Sequence, residues 1–258
     1  MSSPRSTRPS PLFLALIGAT VAAGGVSWGS TLARRNVPVF LFVLLGWIVS
    51  LCIHEFAHAF VAYRNGDRSV ADKGYLTLDP RHYMHPGLSL LMPIAFLLMG
   101  GIGLPGGAVW IQMGAIRTQR GRSLVSAAGP FANLALGVLF ALPFRLFPSM
   151  LNRAPVFSSA LAFLALLQFI AAILNAVPLP GLDGFGVLEP YLPRSFLQTI
   201  APYRQYSIVV LFLLAWRTPW FGTFLFGNSR HLLEMIGGNR DLTIVSQIGG
   251  ALFRFWER

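Results

Sequence analysis

Long stretches of the chain carry no charged side chain, and this restricts its possible folds more than any other feature. Leu12 to Trp28, Val37 to Ile53 and Val156 to Leu174 contain none, and Leu124 to Phe147 contains only Arg145. Crossing a hydrocarbon core of about 30 Å takes roughly 20 mostly apolar residues in helical form. With the shorter runs Leu88 to Met99, Ile208 to Ala215 and Trp220 to Phe226, the pattern predicts an all-α polytopic membrane protein of about six transmembrane segments. Composition agrees: only 11% of the 258 residues are charged, against about 25% in soluble domains. No linker or internal repeat divides the chain, so residues 1–258 read as a single membrane domain.

The net charge of +11 would suggest nucleic acid in a soluble protein. Here the basic residues are scattered between apolar segments, with no basic face or recognised module, and a nucleic-acid partner is excluded. Their expected role is topological: Arg and Lys stay on the cytoplasmic side, near anionic lipid headgroups. Arg5, Arg8, Arg64, Arg68, Lys73, Arg81, Arg117, Arg120 and Arg122 share one side if Leu88 to Ile116 enters and returns, whereas Arg34 and Arg35 oppose this orientation. Arg5 and Arg8 before Leu12 to Val26 also resemble a signal-peptide start, but no small-residue cleavage pattern leads into a soluble domain, so a retained helix is expected. A lone Cys52 excludes an internal disulfide. Lys73 is the sole lysine among 20 basic residues, a bias that points to a GC-rich bacterial genome and so to a bacterial inner (plasma) membrane. The glycine-rich stretch from Gly100 to Gly107 cannot continue a helix and is expected to be re-entrant or site-lining. The tail from His231 onward is mixed in character and is compatible with an interfacial helix.

One polar cluster interrupts the second apolar run: His54-Glu55-Phe56-Ala57-His58. Residues four apart on a helix lie one above the other, so His54 and His58 can offer imidazole nitrogens to one metal ion while Glu55 stands beside them. Zinc lowers the pKa of bound water to about 7, and an adjacent carboxylate can take the proton. This is the zincin type of signature. A proton relay explains neither the spacing of the histidines nor the carboxylate between them. A catalytic zinc site commonly has three protein ligands, and the candidates for the third are Asp79, His82, His85, Asp183, Glu189 and His231. Asp183 stands out because Pro178, Pro180, Gly181 and Gly184 break the helix around it, presenting a carboxylate on non-helical backbone directly after an apolar run. The alternative for Asp183 is the N-cap of a following helix. His82 and His85 sit in a polar loop and read as surface or packing histidines.

Taken together, His54-Glu55-Phe56-Ala57-His58 and Asn175-Ala176-Val177-Pro178-Leu179-Pro180-Gly181-Leu182-Asp183-Gly184 resemble the paired motifs of the site-2 protease family of intramembrane zinc metallopeptidases. Gly129-Pro130-Phe131-Ala132-Asn133 is similar to the small-residue and asparagine motif between them, and the likeness extends over roughly Val37 to Glu189. The resemblance implies one Zn²⁺ per chain held by His54, His58 and Asp183, with Glu55 as general base. It further implies that Asn133 and Asn175 position substrate or active-site backbone, although helix packing through their amides is an equal alternative. A membrane-embedded β hairpin is implied near the site, with Gly74 to Leu78 and Ala108 to Gln112 as its strands. Val109, Trp110 and Ile111 would then hold an unwound substrate as an added strand. The implied partners are transmembrane protein substrates and the lipid bilayer, with the active site toward the cytoplasmic side; no oligomeric state follows. The chain has no segment long enough for the PDZ or CBS domains that some members carry, which makes it the compact form. A catalytically inactive scaffold of the same fold is the competing reading, and the intact motif residues argue against it. A transporter would show paired broken helices in two similar halves, which this sequence lacks.

Overall fold

The computed structural model describes residues 8–30, 35–83, 109–254 and 256. Four helices in this range are long and apolar enough to cross a membrane. They are α1 (Pro11–Trp28), α2 (Asn36–Asn65), α3 (Gln119–Leu146) and α4 (Pro155–Asn175). Local chemistry sets their starts. Ser10 Oγ accepts the Phe13 N–H at 3.1 Å ahead of Pro11, and Thr118 Oγ1 accepts the Gly121 N–H at 2.9 Å. Gly66, at φ 125°, ends α2 in a conformation that side chains with a Cβ rarely adopt.

The helices are not equivalent in the bundle. In the most apolar window of α4, 78% of residues are buried, against 17% for α1, so α4 is the central post and α1 lies at the rim. The core between α2, α3 and α4 includes Val39, Val43, Trp47, Phe144, Leu164 and Phe169. Ser10 N–H donates to the Thr77 carbonyl at 2.8 Å, which fastens the start of α1 to the loop that follows α2. The start of α1 and the end of α2 therefore share one end of the bundle.

Beyond α4 come α5 (Asp183–Leu188), α6 (Ser207–Arg217), α7 (Asn228–Gly237) and α8 (Leu242–Phe253). The expected spans over Ile208 to Ala215 and Trp220 to Phe226 are not among the helices long and apolar enough to cross a membrane; the 11 residues of α6 cover only about 16 Å, half of a bilayer core. The tail from His231 onward is not a separate interfacial helix either. Leu233, Leu242 and Phe253 are fully buried in the same core as α2 and α4. Leu88 to Met99 and the glycine-rich stretch to Gly107 lie outside the described residues.

The expected β hairpin is not supported, since no strand occurs among the described residues. Tyr75–Thr77 is a 3₁₀ turn between two residues in the left-handed region, Gly74 at φ 77° and Leu78 at φ 58°, and a strand cannot run through such a turn. Val109 to Gln112 pairs with no strand there.

Candidate metal centre and catalytic cleft

His54, Glu55 and His58 occupy the last part of α2, and all three are buried. At 1.5 Å per residue, the two histidines lie about 10 to 16 Å along the axis from the helix end at Asn65. Their Nε2 atoms are 3.2 Å apart. Asp183 approaches from the opposite side, with Oδ2 at 3.4 Å from His54 Nε2 and Oδ1 at 3.4 Å from His58 Nε2. It opens α5 rather than capping it: Leu182 is the N-cap, and the Asp183 carboxylate is spent on the imidazoles. The kink that brings it there needs Gly184, whose Cβ, if present, would lie 2.1 Å from the Ala176 carbonyl oxygen.

This group fits zinc. Nitrogen ligands at roughly 2.0–2.1 Å from a tetrahedral centre stand about 3.3 Å apart, which matches the separation of the two imidazole nitrogens. The His58 Nδ1–H donates to the Val125 carbonyl at 2.7 Å, which fixes the tautomer and turns the Nε2 lone pair toward the other ligands. Nitrogens of two imidazoles and the oxygens of a carboxylate thus converge at a buried point, an arrangement that can hold a metal ion. His54 Nδ1 is buried without a hydrogen-bond partner among the described residues.

Helix α3 closes over the histidines at Gly129. A Cβ there would lie 2.3 Å from His58 Nε2 and 2.6 Å from His54 Nε2, so the motif glycine leaves the space in which the ligand nitrogens meet. Asn133, one turn further along α3, is buried but does not line the cleft, whereas Asn175 does. The cleft is about 280 Å³ and is also lined by Glu55, Val109, Ile111, Ser126 and Leu182. Glu55 Oε2 accepts the Val109 N–H at 3.2 Å. Trp110, expected to face substrate, is 78% exposed and does not line the cleft.

The other candidate third ligands go elsewhere. Asp79 pairs with Arg81 at 2.7 Å, Glu189 pairs with Arg204, His82 packs on Gly74 and His231 is exposed. The Asp79–Arg81 hydrogen bond holds that carboxyl below the usual carboxylate range. His85 lies outside the described residues. Sequence reasoning missed the Val125 carbonyl, which no side-chain pattern can signal. It also missed Asp67 and Lys73, whose only local mark is an Asp-x-Ser turn after Gly66.

Several known proteins resemble this chain over most of its length. "Putative zinc metalloprotease Rip2" of Mycobacterium tuberculosis is 45% identical over 258 residues, covering 98% of this chain and 96% of the relative. The protein of the same name in Mycolicibacterium smegmatis is 43% identical over 256 residues, with coverages of 98% and 96%. "Putative zinc metalloprotease YwhC" of Bacillus subtilis is 29% identical over 209 residues, covering 78% of this chain and 88% of that one. No family model matches, and no solved structure does. With near-complete alignment to zinc metalloproteases, and with a His54, His58 and Asp183 group able to hold the ion, the chain belongs to the site-2 protease family.

Proposed function

We propose that the chain is an intramembrane endopeptidase that cuts transmembrane segments of other membrane proteins. The observation that carries this is the position of the cleft. The His54, His58 and Asp183 ligand atoms meet about 10 Å or more inside the end of a membrane-length helix, with the Glu55 carboxylate on the same turn. In this reading His54, His58 and Asp183 hold the metal. When bound, zinc supplies Lewis acidity toward a carbonyl oxygen and makes water acidic enough to lose a proton near neutral pH.

Glu55 is then the general base, taking a proton from the attacking water and returning it to the departing amine nitrogen. Substrate backbone is unwound in the cleft and pairs with the edge of Val109 and Ile111, with the Asn175 amide within the same lining to orient it. Trp110 is assigned to the outer face, and Asn133 to packing of α3. The basic residues Arg64, Arg68, Lys73, Arg117, Arg120 and Arg122 lie close in sequence to the α2 and α3 ends that flank the cleft, which supports a cytoplasmic-facing site in a bacterial inner membrane.

The test uses purified protein with about one zinc per chain. Wild type should cleave a helical transmembrane peptide in liposomes and stop on chelation. Zinc-loaded Glu55→Gln should be slower by about 10²- to 10⁴-fold. Equal cleavage by both proteins refutes the assignment.

A further inference from the structure

The backbone of Val109 to Gln112 has no partner strand among the described residues, yet it is held at three points. Its Val109 N–H donates to Glu55 Oε2 at 3.2 Å, the Trp110 carbonyl accepts from Lys73 Nζ at 2.7 Å, and the Gln112 N–H donates to Asp67 Oδ2 at 2.7 Å. Val109, Ile111 and Met113 line the cleft while Trp110 faces out. The chain turns at Gln112 into the 3₁₀ helix Met113–Ala115, and the alternation of Val109, Trp110 and Ile111 before it is that of extended backbone. In such a chain the N–H and C=O of one residue point to one edge, and those of the next residue to the other. Trp110 C=O and Gln112 N–H therefore share the edge turned to the loop after α2. The Val109 C=O and the Ile111 N–H turn to the opposite edge, where Glu55 holds the Val109 N–H, while the Ile111 carbonyl accepts the Met113 N–H at 3.1 Å.

Asp67 is fixed for this task. It is 1% exposed, and its Oδ1 accepts both the Ser69 N–H at 3.0 Å and the Ser69 hydroxyl at 2.7 Å, which leaves Oδ2 for Gln112. Its own N–H donates to the Ala62 carbonyl at 3.0 Å, so the carboxylate takes its position from α2, the helix that carries His54, Glu55 and His58. Lys73, the sole lysine of the chain, follows the short helix Ser69–Asp72 and reaches Trp110 from there. Hydrogen bonds to ionised groups are about twice as strong as neutral ones, so two of them suffice to hold so short a segment.

We infer that Asp67 and Lys73 are positioning residues: they grip the outer edge of Val109 to Gln112 and so aim its inner edge at the metal cleft for substrate pairing. The pairing rests on the proteolytic reading above; the grip itself does not.

Two measurements separate them. The first is hydrogen–deuterium exchange of the Gln112 amide in zinc-free protein, where Asp67→Ala should exchange on the order of tenfold faster than wild type and Asp72→Ala, at an exposed carboxylate nearby, close to wild type. The second is kcat/KM for a transmembrane model peptide with zinc loaded. Gln112 has φ −80° and ψ 83° and an exposed side chain, so Gln112→Pro removes the N–H with little strain. Gln112→Pro, Asp67→Ala and Lys73→Met should each lose about 10- to 100-fold with zinc content unchanged. The Asp67→Ala, Gln112→Pro double variant should be no worse than the worse single one. Unchanged exchange in Asp67→Ala, or fully additive losses in the double variant, would overturn the grip. A wild type that cuts no membrane substrate would instead overturn the proteolytic reading, with the exchange result still deciding the grip.

Discussion

Gly129→Ala is a one-methyl change whose effect can be worked out from the geometry. The new Cβ would lie 2.3 Å from His58 Nε2 and 2.5 Å from His54 Cε1, where real Cβ contacts essentially never fall below 3.0 Å. Relief requires a shift of roughly 1 Å, by withdrawal of α3 or rotation of the imidazoles. Withdrawal carries Val125 away with its own helix, and rotation breaks the 2.7 Å bond from His58 Nδ1 to the Val125 carbonyl. Metal–ligand distances tolerate only about ±0.2 Å, so either route damages the site. Loss of a comparable supporting contact typically lowers metal affinity about 10- to 100-fold, which corresponds to about 1.4 to 2.7 kcal/mol. Competition with a chromogenic chelator would read this directly. Gly18→Ala serves as control, because nothing lies within 4 Å of a Cβ at that position. A folded Gly129→Ala protein with wild-type zinc affinity would refute the reasoning.

Two further outcomes follow from the same geometry. Asp183→Ala removes one of three converging donors and should lower zinc content per chain, measured by mass spectrometry after gel filtration; full retention would show that another group completes the site. Ile111→Pro deletes an N–H from the inner edge that faces the cleft and should abolish most cleavage while zinc stays bound, and unchanged turnover would remove the edge-pairing step.

Some of this was legible from residue order because the relevant rules are local. The spacing of His54 and His58 is a helical repeat, and Pro178, Pro180 and Gly184 mark a bend that delivers Asp183. Uncharged length identified the four long helices. Failure came where position depends on distant partners. Gly74 to Leu78 alternates like a strand, but the left-handed conformations of Gly74 and Leu78 and the docking of Ser10 on Thr77 make it a turn. Val109 to Gln112 pairs with no strand among the described residues, and what holds it is a carboxylate and an ammonium group from the loop after α2, a contact that periodicity does not encode. The two C-terminal apolar runs differ in what covers them: Phe221 and Leu225 of the second are buried in the core with α4, whereas Val209, Val210 and Leu213 of the first are exposed, and composition does not separate the two cases.

The three donors of the metal group differ in how firmly they are rooted. The His54 and His58 side chains are 6% and 8% exposed on a helix at the heart of the bundle, whereas Asp183 is 23% exposed at the start of a short helix beyond two prolines. An ion held as proposed would have two deeply buried donors on one side and a more accessible one on the other. Exchange with solvent would then run through the more accessible donor, with Asp183 released before the paired imidazoles. Stiffening the Pro178 to Leu182 connection should therefore slow zinc release more than it changes equilibrium affinity, so that metal retention and metal binding become separately adjustable properties of the enzyme.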